Sequence, residues 1–199
     1  MNAPTDVVQT MIAEWQIRDL IGRYARGVDR RDGKQIGECF HPGALTHYGD
    51  FDGTVEAFVP WVLDFLQIYT RTMHFMGTTV IDWPDSGDSN FAVAETYATV
   101  LHEKTTDTPG RSWAGWIRYI DRFERRIPSP GSQSIWRIAD RTVVGDLLRI
   151  DPAENHRHFA DVMLTGRPVS DDPLYACLAL LYDPDRTGSD KNTGSDIEC

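Results

Sequence analysis

Four long stretches dense in β-branched and aromatic residues follow one another after Thr70, and they leave few folds open. They cover 72–83, 91–103, 113–126 and 133–150, and residues of that kind favour a pleated, half-buried surface. The links between them, 84–88, 107–110 and 128–131, each hold Pro and Gly. Links that short join neighbouring strands in antiparallel fashion. The segments before Thr70 have helical texture instead. Ile17, Leu20, Ile21, Tyr24 and Val28 mark one stripe of an amphipathic helix over 6–31, with Arg18, Arg23, Arg26 and Arg30 largely off it. Gly33 is read as its stop, and a short helix over 34–40 ends at His41-Pro42-Gly43. A third helix starts from Thr54 as N-cap and buries Phe58, Val62, Phe65, Leu66 and Tyr69, with Pro60 tolerable only near its first turn.

Helices first and a strand meander afterwards predict an α+β domain over 1–150 rather than the alternation of a parallel sheet. On the second strand Phe91, Val93, Glu95 and Tyr97 share one face, and Ala92, Ala94, Thr96 and Ala98 the other. Neither face is polar enough to be freely solvated. The sheet is therefore expected to be covered on both sides, by helices or by another subunit. Past Ile150 the strand pattern stops. Residues 151–182, with a helical candidate at 155–164 and an apolar stretch at 174–181, are expected to pack on the domain or a neighbouring subunit. Residues 183–199 repeat Thr-Gly-Ser-Asp and read as a disordered acidic tail.

Composition removes several function classes. A chain of 199 residues can bury a core without disulfides or structural metal. Its 20 Lys and Arg against 30 Asp and Glu give a net charge of −10, which disfavours nucleic acid or an anionic membrane as partner. No apolar run is long enough to span a bilayer and no secretory signal opens the chain. Cys39, Cys177 and Cys199 are odd in number and widely spaced, so a reducing cytoplasm is expected. There is no phosphate-binding glycine loop, no G-x-S-x-G elbow and no H-E-x-x-H. His156 and His158 form an H-x-H pair without nearby acidic or thiol partners, and a surface pair is the simpler reading.

Four residues carry more chemical information. Asp29 sits at the edge of the helical stripe, where the helix C-terminus disfavours a carboxylate unless something compensates. His74 lies in an apolar strand context, and a histidine with a buried aspartate partner is a common general base. Asp140 and Arg141 point to opposite faces, so one of them turns inward, and an inward Arg needs a carboxylate or an anionic substrate group. Tyr24, on the stripe, either fills core or offers a phenol to a pocket.

The stretches Tyr24-Ala25-Arg26-Gly27-Val28-Asp29-Arg30-Arg31, Phe40-His41-Pro42 and Thr72-Met73-His74-Phe75-Met76-Gly77 occur in this order. With Asp121-Arg122-Phe123-Glu124-Arg125-Arg126 and Trp136-Arg137-Ile138-Ala139-Asp140-Arg141-Thr142, they resemble the SnoaL-like branch of the NTF2-like superfamily. The resemblance spans about residues 8–150 and is nearest the group of bile-acid 7α-dehydratase, hexachlorocyclohexane dehydrochlorinase and scytalone dehydratase. It implies a cone of curved, mostly antiparallel sheet closed by N-terminal helices, with a pocket inside. It also implies an Asp29–His74 catalytic dyad, with Tyr24 and Arg141 as further catalytic residues. The dehydrochlorinase carries a lysine where this chain has Tyr24, which speaks against dehalogenation.

The resulting expectation is a cofactor-independent, metal-free lyase, a dehydratase of a hydrophobic steroid- or polyketide-like ring. His74 takes a proton from an activated carbon, Asp29 orients and supports it, and Tyr24 and Arg141 stabilise charge on oxygen. Trp61, Phe65, Trp113, Ile117 and Tyr119 are expected to line the pocket, and the resemblance adds Glu95 and Tyr97. The alternatives are an isomerase or cyclase with the same dyad, and a non-catalytic ligand-binding or oxygenase-partner module. A homo-oligomer is expected, a trimer ahead of a dimer.

Overall fold

The computed structural model describes residues 7–84, 90–104 and 112–151. The links at 85–88 and 107–110, His156, His158, Cys177, Cys199 and the expected C-terminal extension and tail lie outside the described residues. Helices α1 (Val7–Asp29) and α2 (Gly33–Glu38) come first, then strands β1 (Phe40–Tyr48) and β2 (Phe51–Thr54) and helix α3 (Val55–Gln67). Strands β3 (Arg71–Asp82), β4 (Phe91–Glu103), β5 (Ser112–Arg126) and β6 (Ile135–Asp151) follow.

The strands form one sheet in the order β2-β1-β6-β5-β4-β3. Every pairing is antiparallel except β1 with β6, which is parallel. Register shifts at Met76/Thr79, Trp116/Ile117 and Arg122/Phe123 bend the long strands, and the sheet curves as bulged strands do. Helix α1 lies against the concave face, touching both β3 and β6. Its Ile17, Ile21, Tyr24 and Val28 join Phe58, Val62 and Leu66 of α3 in a core floored by Ala92, Ala94 and Ala98 of β4. Those alanines leave the room that the helical side chains fill. The architecture is the α+β, helix-closed curved sheet expected.

Some local expectations are corrected. Strands β1 and β2 were not anticipated; they are short of alternation and interrupted by His41-Pro42-Gly43, which falls inside β1 rather than after a helix. Gly43 has φ of +72°, at the register shift between Phe40 and Leu45, a conformation that favours glycine. Gly33 opens α2 instead of merely ending α1, because Asp32 caps it by accepting the Gln35 N–H at 2.9 Å. Pro60 sits in the second turn of α3, on its exposed side, where the Glu56 carbonyl that loses its helical donor can be hydrated. Among the described residues no helix is long and apolar enough to cross a membrane.

Candidate active site

Asp29 ends α1 and His74 lies on the inner side of β3, one of the two edge strands. An edge strand has N–H groups that no neighbouring strand claims. One of them is used here: the His74 backbone N–H donates to Asp29 Oδ2 at 2.9 Å, and the His74 Nδ1–H donates to Oδ1 at 2.7 Å. The two side chains are only 12% and 7% exposed. Burial works against the Asp29 charge, yet the bonds from His74 outweigh it and hold the carboxyl below the ordinary carboxylate range. This two-point grip compensates for the unfavourable helix end. With Nδ1–H committed to the carboxylate, the neutral ring carries its lone pair on Nε2, the form a general base needs.

A second histidine, not singled out in the sequence, stands beside the first. His102 is on the inner face of β4, and its ring centroid is 5.6 Å from that of His74. It stacks on Trp113 at 4.0 Å and 8° and is buried. Burial, then the neighbouring His74, pushes its pKa down to about 3, so it stays neutral, and its Nδ1 has no hydrogen-bond partner. Trp113 Nε1 donates to the Tyr69 hydroxyl at 2.9 Å. From α3, Trp61 and Phe65 stack at 5.8 Å and 9°, and Phe65 meets the His102 ring edge at 5.8 Å. Flat rings thus run without a break from α3 to the dyad.

His102 has a measurable signature. The unfolded chain protonates this histidine near 6.5 and the folded one only near 3, so between these values the unfolded state binds one more proton. Folding stability should rise with pH across that window by about 1.4 kcal/mol per unit for this single proton. The Asp29 contribution is present above the ordinary carboxylate range and is lost as pH falls through its depressed folded value. Urea unfolding from pH 3 to 7 on wild type and His102→Phe checks the first term. An unchanged slope in the variant would show that His102 is not held neutral by burial.

On the far side of the concavity, Tyr24 and Arg141 are placed differently from expectation. Arg141 is fully buried and makes a bidentate pair with Asp121, Nε to Oδ1 at 2.6 Å and Nη2 to Oδ2 at 2.7 Å. Its guanidinium lies between two rings, 4.1 Å from the centroid of Tyr24 and 4.3 Å from that of Tyr119. The carboxylate opposite keeps it charged against the cost of burial. The inward-facing member of the Asp140–Arg141 pair is therefore the arginine, but it meets a protein carboxylate rather than open pocket. Tyr24 is equally buried, and its hydroxyl is 2.5 Å from that of Tyr48.

Of the expected lining, Trp113, Ile117 and Tyr119 face inward from β5, opposite His102, Ala98 and Thr96 of β4. Glu95 and Tyr97 do not line the pocket. Alternation along β4 sends Ala92 through His102, at even positions, to the core, and puts Glu95 and Tyr97 on the outer face. There Glu95 accepts from Arg118 at 2.7 Å and Tyr97 is half exposed. The same parity, continued from the alanine row, would have found His102. Asp121 was legible in the same way, two residues from Tyr119 on β5. Tyr48 gave no signal, since β1 itself was missed. Among the described residues no group of three or more His, Cys, Asp or Glu is arranged to hold a metal ion.

Comparison with known structures places this geometry in context. A hexachlorocyclohexane dehydrochlorinase from Novosphingobium barchaimii superposes with a TM-score of 0.62 at 12% identity, covering 73% of this chain and 94% of that one. A protein from Novosphingobium aromaticivorans assigned as a scytalone dehydratase gives 0.60 at 13% identity, covering 83% and 98%. The β subunit of an assigned aromatic-ring-hydroxylating dioxygenase from the same organism gives 0.52 at 20%, covering 71% and 94%. At such identities the likeness is one of fold. No curated protein sequence matches the chain. The model of the SnoaL-like domain matches residues 9–142, well over half of the sequence, and the chain belongs to the SnoaL-like family.

Proposed function

We propose that the protein is a cofactor-independent lyase, a dehydratase of a hydrophobic cyclic substrate of steroid or polyketide type. The observation that carries this reading is the Asp29–His74 contact at 2.7 Å beside a run of aromatic rings. His74 Nε2 takes a proton from a carbon activated by a neighbouring carbonyl. Asp29 keeps the ring in the right tautomer and supports the imidazolium that forms. The carbon–oxygen bond beside the carbanion then breaks, and the hydroxyl leaves as water on receiving the proton that the His74 imidazolium carries, which restores the neutral base. Trp61, Phe65, Trp113 and Ile117 hold the apolar ring system. The test is a panel of hydroxy-steroids and hydroxy-polyketides incubated with the protein and read by mass spectrometry. Loss of the mass of water supports dehydration; a changed product of unchanged mass supports isomerisation or cyclisation. Likeness to a dioxygenase β subunit favours a second reading, a non-catalytic partner module, and a panel with no turnover would support it.

The same proposal includes self-association. Met73, Phe75, Val80, Tyr97, Leu101 and Trp116 stand exposed on the outer face of the sheet. A contiguous apolar patch of this kind is uncommon on a monomer. A second copy of the chain is its occupant, in a trimer ahead of a dimer. Light scattering at micromolar concentration should report an oligomer, and Phe75→Lys should shift it toward monomer. A monomeric wild type would refute this.

A further inference from the structure

Helix α1 is followed by a residue that its backbone does not favour. Arg31 has φ of +54°, and among the described residues it is the one non-glycine residue in the left-handed region. Its N–H donates to the Val28 carbonyl at 3.1 Å, and the Asp32 N–H donates to that of Gly27 at 2.8 Å. These two bonds close a Schellman motif, whose left-handed position glycine fills freely and any other residue only with strain. Strain of that kind persists where a side chain is needed. The Arg31 side chain bridges 38 positions of sequence, and its Nη2–H donates to the backbone carbonyl of Tyr69. Burial pushes its pKa below the usual arginine value, as befits a guanidinium drawn partly out of water.

Tyr69 is a fixed point. It is buried, its N–H donates to the Leu66 carbonyl at 3.1 Å at the end of α3, and its hydroxyl accepts from Trp113 of β5. The next residue, Thr70, begins the link to β4 by donating its N–H to the Glu103 carbonyl at 2.7 Å. Arg31 stands two residues beyond Asp29, and Tyr69 stands five before His74. The helix end and the strand start are therefore joined twice, at Arg31–Tyr69 and at Asp29–His74. Asp29 is the last helical residue, and helix ends fray. A frayed end would carry its carboxylate off the free edge of β3, where no neighbouring strand replaces it. We propose that Arg31 is a positioning residue for the dyad: its guanidinium fastens the end of α1 to the start of β3 and so holds the Asp29 carboxylate on the ring and backbone N–H of His74. It acts through Asp29 and not on the reacting atoms. The consequence for catalysis rests on the lyase reading, whereas the clamp itself is read without a substrate. Arg18 supplies the contrast. Its Nη1–H donates to the Thr79 carbonyl of β3 at 3.0 Å, but it is exposed and lies mid-helix, where no end can fray.

The experiment is amide hydrogen exchange of the His74 backbone N–H in the full-length protein, followed by NMR, with urea unfolding of each variant beside it. This donor lies on an edge strand, so Asp29 is what protects it. Arg31→Gly and Arg31→Ala both remove the guanidinium, but only glycine relieves the left-handed turn, so the alanine variant is the less stable of the two. Both should exchange this N–H at least about tenfold faster than wild type, the scale of one hydrogen bond from a charged donor. Arg31→Lys keeps a charged donor and should hold exchange within a few-fold of wild type, and Arg18→Ala should leave it unchanged. On any panel compound that is turned over, Arg31→Gly should lower kcat and leave KM near its wild-type value. Wild-type exchange in Arg31→Gly overturns the proposal, as does an equal loss of protection in Arg18→Ala or a His74 N–H that is unprotected in wild type. Exchange that follows global stability, fast in the alanine variant and slow in the glycine one, overturns it as well. If the alanine variant does not fold, the other two still decide, because the strained lysine chain must exchange more slowly than the unstrained glycine one. A panel without turnover counts against the lyase reading alone and leaves the exchange comparison standing.

Discussion

His74→Ala is expected to lower turnover by at least ~10²-fold, the loss that accompanies removal of general acid–base catalysis. Asp29→Asn should cost nearly as much. The amide keeps the shape, but its oxygen and NH2 can no longer both accept from the His74 ring and backbone N–H, and the negative charge is gone. The double variant should be little worse than either single one, because each residue works through the other. Steady-state kinetics on whichever panel compound loses water make the measurement. Near-wild-type activity in His74→Ala, or losses that multiply in the double variant, would leave the mechanism without its dyad. Circular dichroism and urea unfolding of the same variants separate a chemical defect from a folding one.

The largest expected effect on stability lies at the buried ion pair. Asp121→Ala strands the Arg141 guanidinium, which has no exposure and donates both of its short bonds to this carboxylate. Breaking a buried pair by removing one partner costs about 3–5 kcal/mol, whereas exchanging both partners for apolar residues of similar volume is often neutral. Asp121→Ala should therefore lose about that much unfolding free energy, and Asp121→Leu with Arg141→Met should recover most of it. Urea unfolding followed by tryptophan fluorescence would show both. A loss under about 1 kcal/mol in Asp121→Ala would mean that water reaches the guanidinium.

The contrast between these residues shows where a linear reading succeeds. Asp29 and His74 were identifiable because each broke a local rule: a carboxylate at a helix C-terminus, and a titratable ring in an apolar strand. Local rules are broken where distant partners compensate, and the partners here are each other. Arg141 broke a rule too, as a charge in mid-strand. Its compensating partner proved to be Asp121, directly across the β5–β6 pair, rather than a substrate. Strand pairing is a long-range property, so the sequence could state the need for a carboxylate without naming it.

By itself, the sequence determined the three helices, the four long strands, their antiparallel meander from β3 to β6 and the apolar stripe of α1, because these depend on periodicity and turn chemistry within short windows, and its motifs carried the resemblance to the family. It also determined that β4 has two unlike faces. Only the tertiary structure decided which face lines the pocket. Alternation defines parity but not direction, and it was the packing of α1 and α3 on the alanine row that turned His102 inward and Glu95 and Tyr97 outward. The insertion of β1 beside β6, in parallel, was likewise decided at that level, and with it the approach of Tyr48 to Tyr24. A parallel pairing between the first strand and the last leaves no mark in local pattern, since the residues that make it are nearly one hundred positions apart.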